Sequence, residues 1–126
     1  MSQSIINKYL TLLDEYKSKH SVKTCLLIQV GSFYEMYQPN ETENLQEICE
    51  ILNIQLTRKN KDDLKTNEAN PLMAGFPIYL IDECVKKLNE ENYCVIVYNQ
   101  EEINGTISRC LSGEYIPDKF KEISVN

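Results

Sequence analysis

The chain has 126 residues, the size of one domain with a proper core. Hydrophobic residues at 42% and charged residues at 25% argue against a disordered or fibrous chain. The formal net charge of −6 argues against a free-standing nucleic-acid binder, whose non-specific affinity comes largely from Lys and Arg neutralising phosphates.

From Ser4 to Lys19, the residues Ile5, Ile6, Tyr9, Leu10, Leu12, Leu13 and Tyr16 form an apolar stripe at helical spacing, with Ser4 suited to an N-cap. Thr24 to Val30 predicts a buried strand. Past a turn at Gly31, Phe33 to Tyr37 predicts a second strand, antiparallel or staggered to the first. Pro39-Asn40 breaks it. Glu41 to Leu52 then predicts a second helix, with Leu45, Ile48, Ile51 and Leu52 inward and carboxylates at its start. Ile54 to Thr57 reads as a short strand, and the polar, glycine-free stretch Arg58 to Pro71 as a mobile loop.

Met73-Ala74-Gly75-Phe76-Pro77 re-enters the core. Pro77 suits the first position of a third helix, Ile78 to Glu90, because its missing N–H costs nothing there. Tyr93 to Tyr98 is the strongest strand signal, and Gly105 turns the chain into another strand, Thr106 to Leu111. This order predicts an α/β or α+β fold: a mixed sheet of about five to six strands covered by about three to four helices. The domain is expected over residues 1–112, with 113–126 a linker toward a following domain.

Five scattered cysteines (25, 49, 84, 94 and 110) include no Cys-x-x-Cys pair, so a zinc site is not expected. They read as reduced core residues of an intracellular protein in a reducing compartment. No run approaches the ~20 apolar residues of a membrane span, and no membrane partner is expected. His20, the only histidine, reads as a solvated helix end rather than a catalytic base. The glycines form no phosphate-cradling loop. Neither catalysis, nor a metal, nor a bound cofactor is expected in this piece.

The segment Val30-Gly31-Ser32-Phe33-Tyr34-Glu35-Met36-Tyr37 is the most informative. Strand alternation puts Phe33 and Glu35 on one face and leaves Tyr34 and Met36 to be buried. A flat ring beside a carboxylate, next to a tight turn, is suited to entering a base stack and testing what lies there. The pattern alone also permits Phe33 to be a core residue with Glu35 its exposed neighbour.

The chain resembles the N-terminal mismatch-recognition domain of the MutS family of DNA mismatch-repair proteins. The matching pieces run in order from Tyr9-Leu10 through Leu26–Tyr37, Ile51–Lys59, Met73–Pro77 and Val95–Gln100 to Arg109. It departs from the family in carrying Ser32 where an acidic residue is usual, and Ile116-Pro117-Asp118 where a Pro-Gly-Thr turn is common.

The resemblance implies that Phe33 enters the minor groove beside a mispaired or unpaired base and that Glu35 hydrogen-bonds to that base. Arg58, Lys59 and Lys61 are candidates for tracking the DNA backbone, against solvated loop charge beside Asp62 and Asp63. Met73 is a candidate neighbour of the wedge, against simple core burial, and Arg109 reads as a structural ion-pair partner.

The resemblance further implies a dimeric parent chain whose ATPase, with ATP and Mg, lies outside this non-catalytic piece. The partners are then mismatched double-stranded DNA, bound weakly by the isolated domain, and the other domains of the parent. A MutS-like scaffold or protein-interaction domain without wedge function is the alternative.

Overall fold

The computed structural model describes residues 2–20, 23–39, 44–58, 60–63, 65–67 and 69–118, without the side chains of 2–4. A six-stranded mixed sheet forms the centre, in the order β3-β4-β2-β1-β5-β6. Its strands are β1 (Thr24–Val30), β2 (Phe33–Gln38), β3 (Thr57–Arg58), β4 (Leu72–Pro77), β5 (Cys94–Ile103) and β6 (Thr106–Tyr115). Only β1 and β5 run parallel; the other four pairings are antiparallel. Among the described residues the α-helices are three: α1 (Ser2–His20), α2 (Leu45–Leu52) and α3 (Ile81–Glu90). The α+β class, the strand number and the helix number agree with the sequence pattern.

The two faces of the sheet follow from strand alternation. Phe33, Glu35 and Tyr37 share one face with Ile28 and Val30, their neighbours across the β1–β2 ladder. Helix α1 lies on this face: Tyr9 packs edge-on against Tyr37, and the Tyr16 and Tyr98 hydroxyls meet at 3.0 Å. Tyr34, Met36 and Gln38 point to the opposite face, which α2 and α3 cover. There Cys25 Sγ donates to Met36 Sδ and lies beside Cys49 of α2 and Cys84 of α3. Gln38, buried in this layer, accepts the Leu45 N–H at 2.9 Å and so caps α2 from outside the helix. Tyr34 and Met36 are buried, as alternation predicts.

Several elements differ from the sequence reading. Helix α1 begins at Ser2, so Ser4 lies inside it rather than capping it. The start of the second helix at Glu41 falls outside the described residues, as do Lys59 and residues 119–126 of the expected linker. The short third strand is Thr57–Arg58 rather than Ile54–Thr57, set by pairing with Leu72 and Met73. Pro77 does not open the helix. It ends β4 in extended conformation opposite Phe33, and a single 3₁₀ turn (Ile78–Leu80) intervenes before α3.

The stretch expected as a mobile loop is organised around buried Asn70. Its side chain donates to the Asp63 and Lys65 carbonyls and accepts from the Asn60 N–H. Strand β6 runs to Tyr115, past the Leu111 predicted from sequence.

The cysteines are free thiols. Cys25, Cys49, Cys84 and Cys94 are buried and Cys110 partly so; burial pushes Cys49 and Cys84 up to about 11. His20 is not a solvated end. Its ring stacks on Tyr16 and its Nε2 lies 3.0 Å from Glu114 Oε2 on β6. Among the described residues, no helix is long and apolar enough to cross a membrane and no side-chain group could hold a metal.

Candidate nucleic-acid interface

Strands β1 and β2 form a two-residue hairpin, with Val30 opposite Phe33 and Gly31-Ser32 as the loop. Gly31 has φ +62 and is the only positive-φ residue of the loop, the pattern of a type II′ turn, which takes glycine at its first central position. The turn matches the right-handed strand twist and brings Phe33 to the very end of the sheet. Ser32 is held from the other side, where its carbonyl accepts the Ile78 N–H at 2.9 Å.

Phe33 is 44% exposed, whereas Phe76 in the adjoining strand is 1% exposed. The sheet therefore keeps one phenylalanine in its core and leaves the other outside, on the face it shares with Glu35. Glu35 is half-buried and lies directly across from Gly75 of β4. A Cβ at Gly75 would stand 2.8 Å from the Tyr34 carbonyl oxygen and 3.5 Å from Glu35 Cγ. The bare backbone at this position leaves room for the glutamate. The Glu35 carboxylate accepts a hydrogen bond at Oε1 from the Tyr37 hydroxyl.

Side chains both near and distant in sequence brace the hairpin turn. Gln29 Nε2 donates to the Gly31 carbonyl at 2.9 Å, and the Gly31 N–H donates to Gln100 Oε1 at 2.6 Å. Gln100 in turn donates its backbone N–H to Gln29 Oε1 at 2.8 Å. Arg109 on β6 completes the set, donating to the Gln29 carbonyl at 3.0 Å and to Gln100 Oε1 at 3.1 Å. Arg109 is thus structural, but through neutral acceptors rather than the ion pair expected for it.

The sequence reading missed Gln29 and Gln100. Gln29 lies two residues before the glycine and Gln100 two residues past the predicted Tyr93–Tyr98 strand, inside β5, but only the parallel β1–β5 pairing brings them together.

The remaining candidates are spread along the sheet. Met73 lies on the Phe33 face, opposite Tyr37 and two pairs beyond Gly75, partly buried against the core. Arg58 pairs with Leu72, which puts it on the opposite face, and its Nε donates to Thr66 Oγ1 at 3.0 Å. Lys61 is exposed in the loop, and Lys59 is outside the described residues. Phe33, Glu35, Tyr37 and Met73 therefore share one face of the sheet, with Phe33 exposed and Tyr37 buried beneath α1. Arg58 stands apart from that face.

A family model described as MutS domain I matches residues 4–115. A putative DNA mismatch repair protein, mutS homolog L359 of Acanthamoeba polyphaga mimivirus, is 27% identical over 121 residues, covering 94% of this chain and 11% of its own length. The DNA mismatch repair protein MutS of Petrotoga mobilis is 33% identical over 98 residues, covering 78% of this chain and 10% of its own. That of Thermotoga maritima is 30% identical over 125 residues, covering 92% and 14%. The chain spans about a tenth of the length of these curated relatives. With the family's ordered motifs laid out on one mixed sheet and the match running through β6, the chain belongs to the MutS domain I family.

Proposed function

We propose that this domain tests double-stranded DNA for mispaired or unpaired bases, inserting the Phe33 ring into the minor groove while Glu35 contacts the base beside it. The observation that carries this reading is the exposed ring of Phe33, held at the turn end of the sheet on the face it shares with Glu35. The names of the relatives, DNA mismatch repair proteins, supply the substrate class. A scaffold domain with a vestigial wedge fits less well, because it gives no use to a phenylalanine left exposed at the turn beside a glutamate.

The energetics favour a single wedge reporting many mismatches. Apolar side chains unstack a base step at a cost of a few kcal/mol and bend DNA by ~20–90°. A mismatch has already lost pairing energy, so the same deformation costs less there than in matched duplex. Discrimination is then a difference in deformation energy, read by one ring.

The acidic balance fits a domain that probes rather than grips. The basic clamp, the ATPase with its ATP and Mg, and the dimer contacts belong, on this reading, to other parts of a parent chain. This domain itself is non-catalytic.

The test is Phe33→Ala in the full-length parent, titrated with matched and mismatched duplexes. Base–aromatic stacking is worth roughly 1–3 kcal/mol, so mismatch affinity should fall about 5- to 150-fold while matched-duplex affinity changes little. Unchanged discrimination would end the wedge assignment.

A further inference from the structure

We infer that Tyr37 is a positioning residue for mismatch discrimination, its hydroxyl fixing the orientation from which the Glu35 carboxylate meets a base. The inference rests on the reading of Phe33 and Glu35 above and deepens it.

Tyr37 follows Glu35 by two residues and so stands on the same face of β2, farther from the turn. It reaches back to donate its hydroxyl proton to Glu35 Oε1. The ring that carries this hydroxyl cannot move freely. It is 7% exposed and packs edge-on against Tyr9, with centroids 5.3 Å apart and planes at 89°. Tyr9 is itself tied down, its hydroxyl donating to the Leu26 carbonyl of β1 at 2.8 Å.

An immobile donor thus grips one oxygen of a carboxylate on an otherwise flexible side chain. On the β4 side no side chain crowds Glu35, because its partner there is Gly75, and on the β1 side its partner Ile28 offers no polar side-chain group. Among the described residues no other group hydrogen-bonds to this carboxylate, so Oε2 keeps its lone pairs for a ligand. Burial first, and then the bond to Glu35, push the tyrosine hydroxyl's pKa well above its usual range. The group remains a donor throughout the pH range in which DNA is duplex.

A glutamate ordered only on binding gives up rotamer freedom at that moment; one already held by Tyr37 gives up less. Removing the hydroxyl should therefore weaken the glutamate's contribution without touching the ring packing that supports the fold.

The experiment compares Tyr37→Phe, Glu35→Ala and the double variant in the full-length parent chain. Each is read as the ratio of affinities for mismatched and matched duplex, alongside its melting temperature. Tyr37→Phe should lower the ratio about 3- to 10-fold, the scale of one hydrogen bond, and have no further effect once Glu35 is alanine.

An unchanged ratio in Tyr37→Phe would overturn the inference, as would an equal loss in the absence of the glutamate. Phe33→Ala run in parallel separates the two readings. If it too leaves the ratio intact, the wedge itself is wrong; if it collapses the ratio while Tyr37→Phe does not, only the role of Tyr37 fails.

Discussion

At the scale of single residues, the contrast between Phe33 and Phe76 shows how the site is set. Both rings sit near one end of the sheet, on β2 and β4, but alternation sends them to opposite faces. Phe76 falls under the helices beside Tyr34, with ring centroids 5.8 Å apart, while Phe33 falls beyond the reach of any covering element.

Gly75 is the residue on which the arrangement turns. A methyl group there would press on the Tyr34 carbonyl at 2.8 Å, and that backbone cannot give way cheaply. The Tyr34 side chain is buried, and its hydroxyl donates to Asn99 Oδ1 at 2.5 Å. Gly75→Ala should accordingly destabilise the domain by about 1–3 kcal/mol, the usual result of overfilling a packed position. Denaturant melts of the 126-residue chain check this, and a midpoint equal to the wild type would show that β4 relaxes freely at this position.

At the scale of elements, the wedge hairpin is anchored by a strand that comes almost seventy residues later. Gln100 Oε1 accepts from both the Gly31 N–H and Arg109, so its acceptor oxygen is what links the turn to β5 and β6. Gln100→Leu removes that acceptor and should cost about 1 kcal/mol, with faster hydrogen exchange at the Gly31 amide. Gln100→Glu keeps the acceptor and should preserve slow exchange. Identical exchange in all three proteins would mean that the turn holds itself.

The hairpin was legible in the sequence because its signals are local: an apolar run, a glycine, then alternation that fixes which residues share a face. The brace was not, because it exists only through the β1–β5 register and the return of β6. The end of β6 was hidden for another reason. Ser112-Gly113 resembles a strand terminator, yet Gly113 stays in the strand and the space its side chain would fill is taken by the Tyr115 ring, whose atoms lie 2.6–2.7 Å from a Cβ built there. Pro77 misleads in the same way. Its missing N–H suits a helix start, but it suits the end of β4 equally well, and pairing with Phe33 decides the matter.

At the scale of the whole molecule, the sheet is closed on the α1 side by contacts that join its first element to its last strand. Glu114 on β6 accepts from Lys19 Nζ at 3.1–3.2 Å and meets His20 Nε2 at 3.0 Å, fastening the end of α1 over the edge of the sheet. Burial alone would raise the Glu114 pKa; the hydrogen bonds from Lys19 and His20 outweigh it and hold the carboxyl below the usual glutamate value of 4.5. On the other face, Glu47 of α2 is lowered the same way by Tyr93 and Lys23.

An acid whose pKa is depressed by folding binds its proton more weakly in the folded state than in the unfolded one. The stability it contributes is therefore complete above about pH 4.5 and is lost as the pH falls through the lower, folded value. The domain should lose stability on acidification below that point, with Glu114 supplying about 1 kcal/mol or less because the cluster is partly exposed. Glu114→Gln should lower the melting temperature by a few degrees at pH 7 and by less at pH 3, because acidification brings the wild-type carboxyl toward the lowered pH at which it takes up its proton in the folded state. If the variant instead shows the same gap from the wild type at both pH values, Glu114 acts through packing alone, and the attachment of α1 to β6 owes nothing to charge.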